Sequence, residues 1–189
     1  MSNIKEQWEQ RFYDHTILWM NPALNAPHRA IFVSNSSGKF QLHSYDFITK
    51  FSRQLTKKSQ GMLFGSISPN GEYIFYLNDL GGSEHGHFMR IPFTSGHTID
   101  ITPPLPLYYS YEVSINDAGN LLCFSASIEN KNKVYLVPFD LKGKPLAPRI
   151  LHESTKSIQG SIISSDGKFT CISLLSDGTE TISEVLVFD

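Results

Sequence analysis

A turn recurs along this chain at a fixed interval. The phrase "SPNGEYIFYLND" (Ser68–Asp79) returns as "SINDAGNLLCFSAS" (Ser114–Ser127) and as "SSDGKFTCISLLS" (Ser164–Ser176). Its glycines, Gly71, Gly119 and Gly167, are spaced 48 and 48 residues apart. An aromatic marker follows each turn: "YDF" at Phe47, "IPF" at Phe93, "VPFD" at Phe139 and "VFD" at Phe188, with spacings of 46, 46 and 49. A third marker, "QLT" (Gln54–Thr56) and "DIT" (Asp100–Thr102), recurs after 46 residues. Three markers sharing one period mean that a single supersecondary unit is built several times over and stacked.

Each unit reads as four short strands. In the second they run near Met62–Ser68, Tyr73–Asp79, His87–Phe93 and Ile99–Thr102. Pro69-Asn70-Gly71 joins the first pair, because Asn and Gly tolerate the positive φ of a tight hairpin. The strand at Tyr73–Asp79 is apolar on both faces, with Tyr73, Phe75 and Leu77 on one and Ile74 and Tyr76 on the other. A sheet with one wet face would alternate apolar and polar residues, so this sheet is expected to lie between two neighbours. The expected fold is therefore all-β, a propeller or partial propeller of about four blades of four antiparallel strands. The blades fall at about 15–56, 61–102, 108–152 and 158–189.

The last blade stops after its third strand, at Asp189. The expectation is a portion of a longer protein. The alternatives are an N-terminal segment that supplies the missing strand, or self-association through the open blade edge at Val185–Asp189. Residues 1–14 form a lead-in, read as a short helix with Ile4, Trp8 and Phe12 on one face.

Composition excludes several classes of function. Apolar residues make up 40% and charged residues 18%, enough apolar content for a core and against disorder. A net charge of −2 with no run of Lys or Arg leaves no footprint for nucleic acid or an anionic membrane. The start, "MSNIKEQWEQRF", lacks the apolar stretch of a signal peptide, and no apolar run approaches the ~18–20 residues of a membrane span. A cytoplasmic protein is expected. Cys123 and Cys171 match no zinc spacing or disulfide framework. Each stands four residues after its turn glycine, where the second unit has Phe75, and reads as a small buried apolar residue.

The run "VSNSSGKFQLHSYDF" (Val33–Phe47), "RQLT" (Arg53–Thr56), "SPNGEYIFYLND" with "LGGSEHGHFMRIPF", then "GHTIDIT", resembles the N-terminal propeller of the prolyl oligopeptidase family of serine peptidases. The resemblance is strongest to the acylaminoacyl-peptidase and dipeptidyl-peptidase-like branch. Tol-type propellers share the SPDG phrase as more distant relatives, and Asn70 stands here where that phrase has Asp. The continuation Asp79, Gly82, Glu84 favours the peptidases. The resemblance implies a non-catalytic propeller that gates and positions peptide substrates for an α/β-hydrolase domain, its partner, which carries the catalytic triad. A stand-alone propeller that binds a protein or ligand without catalysis is the alternative.

The chain contains no G-x-S-x-G elbow. The nearest approach, Gly81-Gly82-Ser83-Glu84-His85-Gly86, has one residue too many after the serine and joins two antiparallel strands. No catalytic, cofactor-binding or metal-binding residue is therefore assigned, and no cofactor is expected. Glu84, His85 and His87 invite a metal reading, but a site needs three or four converging ligands. The plainer reading is a polar loop in which Asp79 and Glu84 bond backbone donors. Asp79, Glu84, His85 and His87 remain the candidates for contact with a substrate or partner. "PPLPLYY" (Pro103–Tyr109) reads as a stiff link whose tyrosines begin the next inner strand, and Asp46, Asp140 and Asp189 as turn caps beside the aromatic marker.

Overall fold

A computed structural model describes residues 14–110, 112–176 and 181–189. Ile4, Trp8 and Phe12 of the lead-in lie outside the described residues. Those that are described contain strands and turns and no helix, so no helix among them is long and apolar enough to cross a membrane.

The strands form antiparallel blades. Blade 1 is β1 (Ile17–Pro22), β2 (Arg29–Ser34), β3 (Gln41–Asp46) and β4 (Ser52–Gln54), paired in that order. Blade 2 is β5 (Ser66–Ile67), β6 (Tyr73–Asp79), β7 (His85–Pro92) and β8 (Ile99–Asp100). In blade 3 the first strand is split. Both β9 (Tyr108–Tyr109) and β10 (Ser114–Ile115) pair with β11 (Leu121–Ile128), which continues to β12 (Lys131–Pro138) and β13 (Arg149–Ser154). Blade 4 has β14 (Ile158–Ile163), β15 (Thr170–Leu175) and β16 (Ile182–Phe188). First strands of neighbouring blades stand side by side, β5 against β1 and β14 against β10. Four-stranded antiparallel sheets stacked face to face around adjacent first strands make an all-β, partial propeller.

The recurring turn has one geometry. Gly71, Gly119 and Gly167 take φ of 70°, 67° and 75°, a region that glycine enters without a Cβ penalty. Their N–H groups donate to the carbonyls of Ser68, Asn116 and Ser164 at 2.8, 2.9 and 2.9 Å. The residue three before each turn glycine then caps the next strand. Ser68 Oγ accepts from Glu72 and Tyr73, Asn116 Oδ1 from Asn120 and Leu121, and Ser164 Oγ from Phe169. The Asn and Ser side chains are interchangeable here because each offers one acceptor at the same reach.

The aromatic marker is equally regular in three blades. The N–H groups of Phe47, Phe93 and Phe139 donate to the carbonyls of His28, Glu72 and Asn120, the residues just before β2, β6 and β11. Phe93 lies under the Arg29 guanidinium of blade 1 at 5.2 Å, and Phe139 under Arg90 of blade 2 at 5.0 Å. Burial pushes the Arg90 guanidinium below its ordinary pKa, while its 4.3 Å contact with the Tyr73 ring holds it in place. Phe47, with no described blade before it, is 43% exposed. The fourth marker differs. Phe188 pairs with Thr170, three residues after Gly167, whereas Pro92 and Pro138 pair with residues two after their glycines. Phe188 is thus the structural counterpart of Ile91 and Val137, and it packs on His152 of blade 3 at 5.7 Å. Asp46 and Asp140 cap turns as read, accepting from Ile48 and Thr49 and from Lys142 and Lys144.

Apolar side chains fill the spaces between blades. Ile31, Val33 and Leu42 meet Ile74 and Ile91 between blades 1 and 2. Phe75 and Phe88 meet Phe124, Tyr135 and Val137 between blades 2 and 3. Cys123 and Val134 meet Ile158, Ile172 and Leu174 between blades 3 and 4. This is why β6 and β11 carry apolar residues on both faces.

The cysteines share a repeat position but not an environment. Cys123 is fully buried, and desolvation pushes its thiol up to about 12. Cys171 is half-buried, because its face of blade 4 looks outward. A thiolate is the reactive form. At pH 8 a thiol reagent is therefore expected to label Cys171 in native protein, and Cys123 only after addition of denaturant. Mass spectrometry of the tryptic peptides reads this directly, and prompt native labelling of Cys123 would contradict the packing between blades 3 and 4.

Candidate functional site

The first strand of unit two is shorter than its sequence suggests. Met62–Ser68 reads as a strand, yet only Ser66–Ile67 pairs with β6, at Phe75 and Ile74. The Met62 N–H donates instead to Phe40 of blade 1 at 2.8 Å. Residues 60–65 are thereby drawn off the sheet and open a cavity of about 660 Å³ where blades 1, 2 and 3 meet.

Trp19 and Asn21 of β1 form one wall of this cavity, Gln60–Ser66 another, and Tyr109, Ser110 and Val113 of blade 3 a third. Phe75, Leu77 and Phe88 form the apolar floor, with Asp79 and Glu84 at the end nearest the β6–β7 loop. Trp19 is oriented by its indole N–H, which donates to Leu63 O at 2.8 Å. Phe64 stands 66% exposed at the mouth. A smaller cavity of about 380 Å³ shares Ser66 and Val113 with the first and continues past Glu112, Ser114, Gly160 and Ser161. The two together form a groove along the first strands of blades 2, 3 and 4.

The sequence candidates separate into three settings. Asp79 and Glu84 both line the larger cavity, but among the described residues neither carboxylate takes the backbone donor expected from sequence. Asp79 instead faces Lys58 at 3.9 Å, and Lys58 Nζ also donates to Asn78 Oδ1 at 2.6 Å and to Asp79 O at 2.8 Å. Glu84 sits at φ 60° in the loop, after Gly81 and Gly82 have already turned the chain. Among the described residues its carboxylate has no hydrogen-bond partner.

His85 lies at the rim, its ring 6.1 Å from that of Tyr109. Its Nδ1–H donates to the Ser83 carbonyl at 2.8 Å, while the Ser83 hydroxyl makes only long contacts, of 3.3 and 3.4 Å, with the backbone of His85. The imidazole and the hydroxyl do not bond each other, so this geometry is not that of a nucleophile and its base.

His87 turns away from the cavity. Its Nδ1–H donates to Asp100 Oδ2 at 2.7 Å, and its ring stacks on Tyr108 at 5.6 Å. Asp100 Oδ1 accepts from Thr102 N at 2.8 Å, and Thr102 Oγ1 and the Tyr108 hydroxyl are 2.8 Å apart. That hydroxyl also accepts the Phe88 N–H at 2.7 Å. Burial raises the Tyr108 phenol well above its ordinary pKa, so it stays a neutral donor and acceptor. The network ties β9 to β7 and places Tyr109 on the cavity wall. Among the described residues no group of three or more His, Cys, Asp or Glu side chains converges as metal ligands would.

Sequence reasoning singled out Asp79, Glu84 and the Tyr108-Tyr109 pair but not Trp19, Gln60 or Phe64. The one available signal was an apolar "MLFG" run just before a strand too short to use it.

No protein-family model matches the chain, and no curated protein matches it by sequence. Solved structures do resemble it in fold. An oligogalacturonate lyase from Vibrio parahaemolyticus matches 90% of this chain at TM-score 0.64 and 13% identity. TolB from Acinetobacter baumannii matches 91% at TM-score 0.62 and 15% identity, and a prolyl endopeptidase matches 87% at TM-score 0.64 and 14% identity. The chain spans 51%, 42% and 27% of the lengths of those three proteins. These likenesses define the class of fold, a β-propeller, in agreement with the strand topology.

Proposed function

We propose that this chain is the non-catalytic propeller portion of a prolyl-oligopeptidase-like serine peptidase, cytoplasmic, which gates and positions peptide substrates for an α/β-hydrolase domain. One observation carries the reading. The "D..G.E" phrase that resembles the peptidases sets Asp79 and Glu84 on the lining of an open groove that also carries aromatic rings, where a peptide would pass. The likeness in fold to a prolyl endopeptidase supports it.

The contact with the rest of such an assembly falls on the outward face of blade 4. Positions that are buried in blades 2 and 3 are open there. Phe88 and Val134 are 3% and 0% exposed, and their counterpart Val185 is 56% exposed. Ile162 and Val187 beside it are 60% and 66% exposed. A further blade or a second copy of the chain would cover this face.

Purified chain is expected to show no turnover of aminoacyl or peptidyl esters, and the reading frame beyond Asp189 to encode a G-x-S-x-G on a strand–turn–helix. Turnover abolished by Ser83→Ala would overturn the reading. A frame without a hydrolase would favour the stand-alone binding scaffold, a reading that the similar fold of TolB also supports.

A further inference from the structure

The cavity at the junction of blades 1–3 has a charge character that the chain as a whole lacks. The sequence is nearly balanced, with 16 Lys and Arg against 18 Asp and Glu. Yet the described residues lining the two joined cavities include three carboxylates, Asp79, Glu84 and Glu112, and not one Lys, Arg or His. Two of the three are already engaged. Asp79 faces Lys58, which lies outside the lining, and Glu112 Oε2 accepts the Gly160 N–H at 3.1 Å. Glu84 is exposed and has no partner among the described residues.

Among uncharged polar and aliphatic residues, the wall also carries aromatic rings. Trp19 and Tyr109 stand on opposite blades and Phe64 at the mouth. Ring faces carry negative charge and attract a cation within about 6 Å of the ring centre. Rings beside one unneutralised carboxylate do not suit an anion. They also do not suit a hard metal ion, which takes six or more oxygens. They suit a cation whose charge rides on an apolar body. A volume of about 660 Å³ lies within the usual range of small-ligand sites.

We infer that this cavity binds an organic cation, a primary or quaternary ammonium carried on an apolar or aromatic group, with Glu84 meeting the charge and Trp19, Phe64 and Tyr109 meeting the body. The inference does not depend on a hydrolase domain, because every group it uses belongs to this chain.

Titration calorimetry of the full chain with phenethylammonium and benzyltrimethylammonium tests it, with 3-phenylpropanol as the neutral probe and calcium chloride as the metal probe. Both ammonium probes are expected to bind, and 3-phenylpropanol to bind about tenfold more weakly, the worth of one charge-assisted contact. Glu84→Gln should weaken the ammonium probes about tenfold and leave 3-phenylpropanol unchanged. Phe64→Leu should weaken all three. Because Glu84 is exposed and unpartnered, its substitution is not expected to alter folding, which circular dichroism verifies. Raising sodium chloride tenfold on the unaltered chain gives a second reading that needs no variant, and should weaken ammonium binding alone. Equal binding of the neutral and charged probes, no effect of Glu84→Gln, displacement by calcium, or no binding at all would each overturn the proposal. Loss of cation binding in a chain that still serves a hydrolase would leave the peptidase reading standing, and the converse also holds.

Discussion

Replacing Phe124 by alanine is expected to lower the unfolding free energy by about 3–5 kcal/mol, the usual cost of emptying a large aromatic site in a core. Phe124 is fully buried and touches three other rings: Phe88 edge-on at 5.2 Å, Tyr108 at 5.2 Å and Tyr135 stacked at 5.4 Å. Two of the four rings belong to blade 3's β11 and β12. Phe88 belongs to blade 2, and Tyr108 to β9, which pairs with both blades. The cavity left behind would thus open the interface between blades, and collapse is resisted by sheets on either side. Against a total stability of about 5–15 kcal/mol for a domain, the loss is a large fraction. Urea unfolding followed by tyrosine and tryptophan fluorescence measures it, with Phe124→Leu as the milder control. A loss below about 1 kcal/mol would contradict the close packing of the four rings between blades 2 and 3.

The second large effect is expected from a single oxygen atom. Tyr108→Phe keeps the ring and its stacking on His87 but removes the hydroxyl that accepts the Phe88 N–H and bonds Thr102 Oγ1. Phe88 is 3% exposed and Thr102 0%, so water does not readily replace the lost partner. A buried donor left without an acceptor costs about 1–3 kcal/mol. Amide exchange should show the Phe88 N–H losing protection selectively, while amides at the β2–β3 pairing stay protected. Uniform loss across all blades, or none at Phe88, would contradict the role assigned to the hydroxyl. Tyr109, the next residue, lines the cavity, so ammonium binding should weaken in the same variant.

The parts of the fold that read correctly from sequence were those built by residues close together in the chain. Gly71, Gly119 and Gly167 each close a hairpin with a partner three residues earlier, so their positive φ is a local demand that any copy of the unit must meet. Apolar residues on both faces of β6 implied neighbours on both sides. The marker at Phe188 misled because it falls earlier along the third strand, opposite Thr170, at the place where Ile91 and Val137 stand opposite Ile74 and Leu122. A shift of that kind keeps the letters and alters the pairing. The cavity was harder to see. Asp79 and Glu84 stood out through a resemblance, but their partners did not. Lys58 is 21 residues from Asp79, and the Met62 amide that opens the cavity bonds to Phe40, 22 residues away.

What the sequence by itself determined is the unit: a four-stranded blade, repeated, closed by a glycine turn and apolar on both faces. Hydrogen bonds and side-chain alternation within about ten residues are enough to specify it. Only the tertiary structure decided how the units differ. It buried Cys123 and left Cys171 half-open, because among the described residues only the first has another blade packed on that side. It put Phe93 and Phe139 beneath arginines of the preceding blade and left Phe47 exposed. It turned His87 into a buried network and brought Glu84 to an aromatic cavity without a partner. Burial and charge at a given side chain depend on whichever other blade lies against it, and that is set by packing between segments far apart in the chain.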